Sequence, residues 1–173
     1  MDAPDCKGIA SHWRALADEI EAATYDTFAP FSIEFKQLRE KYPESSMQGV
    51  ARWSAVAGWY LYRLSIRAEL AEVFGKAFDG AKAAKVENRD YSRRSADSSV
   101  LYVGRASDLA ERLKWHFGYG PKRRYSLHMS TWLPDLEGEL RIEAWRFDPG
   151  ISEATFQAIE DGFWAASKPM LGM

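Results

Sequence analysis

Apolar positions recur along this chain at two spacings, and the places where one spacing gives way to the other outline its elements. Val100 to Val103 is a β-prone run that stops at Gly104. Beyond it Leu109, Leu113 and Phe117 recur every fourth residue, which predicts a helix with that stripe buried. Ser107 or Asp108 can cap its start, Glu111 lies in its first turn and Gly118 is suited to end it. Leu140 to Phe147 alternates apolar and polar, the pattern of a half-buried strand. A third β-prone run covers 56–64 and is entered through Gly58. It carries Trp59, Leu61 and Arg63 on one side and Tyr60, Tyr62 and Leu64 on the other.

Helical spacing also marks 11–24, with Ser11 as cap and Trp13, Leu16, Ala17 and Ile20 on one face. It marks 32–42 (Phe35, Leu38), then 65–78 (Ile66, Leu70, Val73, Phe74, Ala77), and 152–166, capped by Ser152 with Phe156, Ile159 and Phe163 as its stripe. Thr27 to Ser32 holds Pro30 and reads as a connector, and Pro43 to Ser46 as a break. Asp79 to Ser99 is polar, carries Arg89, Arg93 and Arg94, and reads as a flexible basic loop. Tyr125 to Leu133 fits a short helix or strand.

These elements predict an α/β (α+β) domain with a small, mostly antiparallel three-stranded sheet flanked by helices. Residues 1–50 would be a helical extension, and 51–173 the main domain with an insertion at about 65–99. A chain of 173 residues suits one such domain. Aromatics reach 14%, with seven Trp, enough for a well-filled core and an aromatic-lined groove. The net charge of −2 excludes a generally basic nucleic-acid binder, so any such binding must use a local patch. Cys6 is the single cysteine, which rules out a disulfide framework or a cysteine-based zinc site. The start is acidic and polar rather than signal-like, and no run has the length of a membrane span, so the expected location is cytoplasmic.

Three features could carry chemistry. Arg112 and His116 are four residues apart on the central helix, on a strip beside the buried one, so both can point to one place. Lys122, Arg123 and Arg124 follow a glycine- and proline-containing turn and are flanked by tyrosines, a plausible phosphate contact. Glu160 falls inside the apolar stripe of the last helix, where an ionised carboxylate is costly without a cation or an arginine. His12 lies on a helix surface and carries no argument.

Taken in order, Gly58-Trp59-Tyr60, Tyr102-Val103-Gly104, Arg112, His116 and Glu160 resemble the signature of the GIY-YIG nuclease superfamily. The resemblance spans about residues 56–172. Tyr91, nearer to Tyr102, is a second candidate for the first signature tyrosine. Gly172, after Pro169, stands where the family often has an asparagine.

The resemblance implies metal-dependent hydrolysis of DNA phosphodiester bonds, as in restriction, repair, mobile-element and toxin nucleases. The partner would be DNA, taken as double-stranded, and the cofactor Mg²⁺, with Mn²⁺ fitting the same oxygen ligands. Tyr60, Tyr102, Arg112, His116 and Glu160 would be catalytic, with Glu160 the metal ligand. Arg112 would hold the scissile phosphate, the tyrosines would orient the attacking water, and Arg105, Lys122, Arg123 and Arg124 would bind nucleic acid. The alternative is a GIY-YIG-like module that binds nucleic acid without cutting it. A protein-interaction domain with an accidental motif is a third class.

Overall fold

A computed structural model describes residues 5–172. The termini of the two expected segments, 1–4 and 173, lie outside the described residues. The three expected strands are present as β2 (Trp59–Ser65), β3 (Val100–Ala106) and β4 (Glu139–Phe147). A fourth, β1 (Tyr25–Glu34), joins them in one antiparallel sheet of order β1-β4-β2-β3. The α+β class therefore holds, and the expected three strands are corrected to four among the described residues.

The missed strand contains the stretch expected to be a connector. Its residues are mostly exposed, so apolar alternation is lost. Pro30 falls where the register with β4 shifts between Phe28 and Phe31. A proline is tolerated at a bulge on an edge strand, where its missing N–H breaks no ladder. β4 consequently lies inside the sheet, between β1 and β2.

The helices follow the expected stripes with moved ends. α1 (Cys6–Ala22) is capped by Asp5, whose carboxylate accepts from Gly8 N–H at 3.0 Å, rather than by Ser11. Of its expected inward face only Leu16 is buried, while Trp13 is 60% exposed. α2 (Phe35–Glu40) is shorter than expected and buries Phe35 and Leu38. Pro43 precedes α3 (Glu44–Trp53) directly, so the expected break is one residue wide. α4 (Ala71–Ala83) starts and ends later than predicted and buries Phe74, Phe78 and Ala81. α5 (Leu109–Phe117) has Asp108 as its cap and Gly118 at φ 99° as its stop. α6 (Glu153–Ser167) is capped by Ser152, which accepts from Thr155 N–H at 3.1 Å.

The pleat of β2 separates two cores. Tyr60, Tyr62 and Leu64 face the larger, filled from α2 to α5 together with Trp132 and Met129. Leu61 faces the smaller, where Phe156, Ile159 and Phe163 of α6 pack. Each fully buried side chain of this size contributes about 1.5–3 kcal/mol. Residues 25–53 belong to this same sheet and larger core rather than standing apart as an extension.

The expected flexible loop is also tied down. Arg94 pairs with Asp79 and Asp97, and Arg89 with Glu87. Ser95 N–H donates to Met170 C=O at 2.7 Å, and Gly172 N–H to Arg93 C=O at 2.8 Å. Its polar composition misled because the partners are backbone groups of the distant chain end. No described helix is long and apolar enough to cross a membrane.

Candidate functional site

The inner face of β2 and β3 meets α5 at a cluster of polar side chains set in an aromatic surround. Tyr62 lies opposite Gly104 in the strand register, and Tyr102 opposite Leu64. The two rings stack with centroids 6.0 Å apart. The space for this comes from Gly104. A Cβ there would overlap the Tyr102 ring and press on the Tyr62 hydroxyl at 3.0 Å.

α5 delivers the nitrogen donors. Arg112 and His116 are one turn apart, so they reach the same two tyrosines. Arg112 Nε donates to the Tyr62 hydroxyl and Nη2 to the Tyr102 hydroxyl, each at 3.3 Å, and Nη1 donates to Tyr125 C=O at 3.2 Å. Three of its five N–H groups are thus engaged and two remain. The guanidinium also lies 5.7 Å from the Trp115 ring centroid, within cation–π range.

His116 is fully buried, with Nε2 2.8 Å from the Tyr62 hydroxyl. Leu127 N–H donates to its Nδ1 at 3.3 Å, which makes Nδ1 the acceptor. Burial, then the charge of Arg112, holds the imidazole well below its ordinary pKa, so the ring is neutral. Its proton therefore resides on Nε2 and is donated to Tyr62. The Tyr62 oxygen accepts from two nitrogens and keeps its own proton available for a third group. Burial pushes this phenol well above its usual value, Tyr102 adds to the rise, and Arg112 opposes it. At rest Tyr62 is protonated.

Glu160 comes from the other side of the sheet. α6 packs against β3, the edge strand. The Glu160 carboxylate, 17% exposed, meets Arg105 Nε at 3.1 Å. Burial raises its pKa, while the charges of Arg105 and Arg112 oppose the rise. Arg105 also lies 3.6 Å from Glu153, and its Nη1 is buried without a partner. Position 172 closes the group. A Cβ on Gly172 would lie 3.2 Å from the Tyr102 ring and 3.7 Å from Trp164 Nε1, which is itself unpartnered. The backbone there has φ 123°, a conformation that suits glycine.

The expected residues thus divide. Tyr102, Arg112 and His116 come together, with Glu160 and Arg105 at the neighbouring edge. Tyr60 does not join them. Its hydroxyl donates to Val56 C=O and lies 3.4 Å from Trp53 C=O, and burial raises its pKa. Gly58 serves the sheet rather than the site, since a Cβ there would lie 2.8 Å from Arg146 and 2.9 Å from Phe147 C=O. Tyr91 is buried against Thr131 at 2.9 Å, also away from Arg112. Lys122 pairs with Glu87 at 3.7 Å and Arg123 with Asp90 at 4.0 Å. Arg124 lies over Trp115 at 5.2 Å, the same ring that Arg112 approaches.

Sequence reasoning missed Tyr62, although strand alternation had put it on the same face as Tyr60. It also missed Leu127 and Tyr125, whose parts are played by backbone groups that no side-chain pattern marks.

Among the described residues no three His, Cys, Asp or Glu side chains gather to form a metal cage. The Glu160 carboxylate is near enough for its charge to raise the Tyr62 pKa. One carboxylate suits a magnesium-type ion, which keeps most of its waters and needs few protein ligands, and does not suit a zinc-type site. No known protein family, curated protein or solved structure matches this chain.

Proposed function

We propose that the protein is a metal-dependent endonuclease that hydrolyses DNA phosphodiester bonds, with a GIY-YIG-like site in which Tyr62, rather than Tyr60, is the first tyrosine. The observation that carries this reading is the cluster in which Arg112 bridges both tyrosine hydroxyls while His116 holds one of them.

The two unused N–H groups of Arg112 would hold a phosphate oxygen and stabilise the charge that grows in the transition state. Tyr62 would orient the attacking water with the O–H that its two nitrogen donors leave free. Those same donors stabilise a phenolate if the proton departs. Tyr102, 9% exposed, forms the accessible wall on which the phosphate would sit. Glu160 would anchor the Mg²⁺ or Mn²⁺, which supplies Lewis acidity when bound. Arg105 would hold Glu160 in place, since its guanidinium is already paired with Glu160 and lies 3.6 Å from Glu153.

The test is cleavage of supercoiled plasmid with Mg²⁺ or Mn²⁺ by the native protein, Arg112→Ala and Glu160→Ala. Native cutting that depends on metal and falls at least ~10²-fold in both variants is expected. Cutting that persists in both variants sinks the reading. DNA binding without cutting by any form favours a binding module, for which the Arg105–Glu160 pair and Gly172 are the supporting features.

A further inference from the structure

The three arginines of the 79–99 segment have different fates. Arg89 is tied to Glu87 and contacts His128, and Arg94 is tied to Asp79 and Asp97. Arg93 is exposed, and its side chain has no acidic partner among the described residues.

Its backbone, in contrast, is built into the rim of the site through a closed circuit of contacts. Arg112 donates to Tyr125 C=O at 3.2 Å. The Tyr125 hydroxyl accepts from Arg93 N–H at 2.6 Å. Arg93 C=O accepts from Gly172 N–H at 2.8 Å. Gly172 lies against the Tyr102 ring, and the Tyr102 hydroxyl returns to Arg112 at 3.3 Å. Arg93 is thus a member of the ring that frames Arg112 and Tyr102. Two cations of the neighbouring loop, Lys122 and Arg123, lie within 4.0 Å of Glu87 and Asp90, and Glu87 is shared with Arg89. Around this mouth Arg93, Arg112 and Arg124 are the arginines left without an acidic partner among the described residues.

We propose that Arg93 is a second phosphate clamp, gripping the DNA backbone next to the phosphate held by Arg112, and that the 79–99 insertion serves to place it. The inference rests on the nuclease reading. The ordering cost of the contact is small, because the backbone at position 93 is already fixed and only the side chain remains to be immobilised. Arginine suits the task, since its fork can meet two phosphate oxygens at once. Tyr125, whose hydroxyl seats the Arg93 backbone, is itself exposed.

The experiment measures binding of a fluorescein-labelled DNA duplex in EDTA across a salt series, and plasmid cutting with Mg²⁺, for native protein, Arg93→Ala, Arg93→Lys, Arg94→Ala and Arg112→Ala. Arg93→Ala is expected to weaken binding about tenfold and to reduce the slope of log affinity against log salt by about 1. Its thermal midpoint should remain that of the native protein. Arg93→Lys should restore the salt slope and part of the affinity. Arg94→Ala should lower the thermal midpoint with the salt slope unchanged.

Native affinity and slope in Arg93→Ala, with Arg112→Ala unable to cut, would overturn the clamp and leave the nuclease reading standing. A loss in Arg93→Ala that tracks a lowered thermal midpoint and is not recovered by lysine would also overturn it. Absence of both binding and cutting by the native protein would remove the reading and the clamp together.

Discussion

Tyr60 and Tyr62 are the same residue type, two positions apart on one face of one strand, both fully buried. Their hydroxyls nevertheless make different hydrogen bonds. Tyr60 gives its proton to the Val56 carbonyl, in the turn after α3, and lies 3.4 Å from Trp53 C=O. Tyr62 receives N–H bonds from Arg112 and His116. A phenol that donates to a carbonyl has spent its proton on structure, and the acceptor disfavours the phenolate. A phenol that accepts from a guanidinium and an imidazole keeps its proton for a third group, and its donors favour the phenolate. The difference comes from what faces the strand. The Tyr60 end is met by the Trp53 and Val56 carbonyls, with Arg146 also close to the hydroxyl, and the Tyr62 end by the N–H-bearing side chains of α5 with no carbonyl acceptor among the described residues.

The comparison is broken most strongly at the hydroxyls themselves. Tyr62→Phe is expected to lower metal-dependent cutting by ~10²–10⁴-fold, the range for a lost general base or positioning group. Tyr60→Phe is expected to leave cutting within a few-fold of native. Single-turnover cleavage of a plasmid by the two variants side by side decides between the tyrosines, and the reverse ranking would return the role to Tyr60.

Gly104→Ala sharpens the contrast without removing any functional group. The added methyl overlaps the Tyr102 ring and presses on the Tyr62 hydroxyl, and none of its three nearest atoms belongs to Tyr60. Overpacking of this kind costs about 1–3 kcal/mol. Urea unfolding should show that loss, and cutting should fall further than stability alone explains because the stacked pair is displaced.

Much of this was legible beforehand. Strand alternation placed the β2 tyrosines, four-residue spacing placed Arg112 beside His116, and the misfit of Glu160 in its stripe called for a metal ion or an arginine; the side chain it meets is Arg105. What the chain did not disclose is instructive. The Gly-x-Tyr form favoured Tyr60, but that form scores residue types in order and is blind to which end of the strand α5 crosses. Pro30 concealed β1 because an edge strand at a bulge needs neither alternation nor a full set of N–H groups. The 79–99 segment read as loose because several of its anchors are backbone groups of the 170–172 stretch, far away in sequence.

Tyr60→Phe carries the next smaller effect, in stability. It removes the hydroxyl that satisfies the Val56 carbonyl in the turn after α3. A single buried hydrogen bond of this type contributes about 1 kcal/mol. The unfolding free energy should therefore fall by about that amount for Tyr60→Phe, with a lower urea midpoint. An unchanged midpoint would mean that the two carbonyls find water instead, and that the hydroxyl is not a structural donor.

The smallest effect is a pH dependence that tests the Tyr62 side of the comparison through His116. Its pKa is depressed in the folded state by burial, and that of His128 is lowered in the same sense, by burial and by Arg89. In the unfolded chain each histidine titrates near about 6.5. A depressed group contributes stability that is present above the unfolded pKa and is lost as pH falls through the folded one, because the unfolded chain binds the proton first. The urea midpoint should thus hold steady from high pH down to about 7 and decline below about 6.5. His116→Gln replaces the ring by an amide that can still donate to Tyr62 and accept from Leu127 but does not titrate, so its decline should be shallower. Glu160, raised by burial, acts in the opposite sense and is common to both proteins, so it cancels in the difference. Equal declines would mean that the folded protein takes up a proton at His116 as readily as the unfolded chain does, and the neutral tautomer that leaves the Tyr62 proton free would have to be given up.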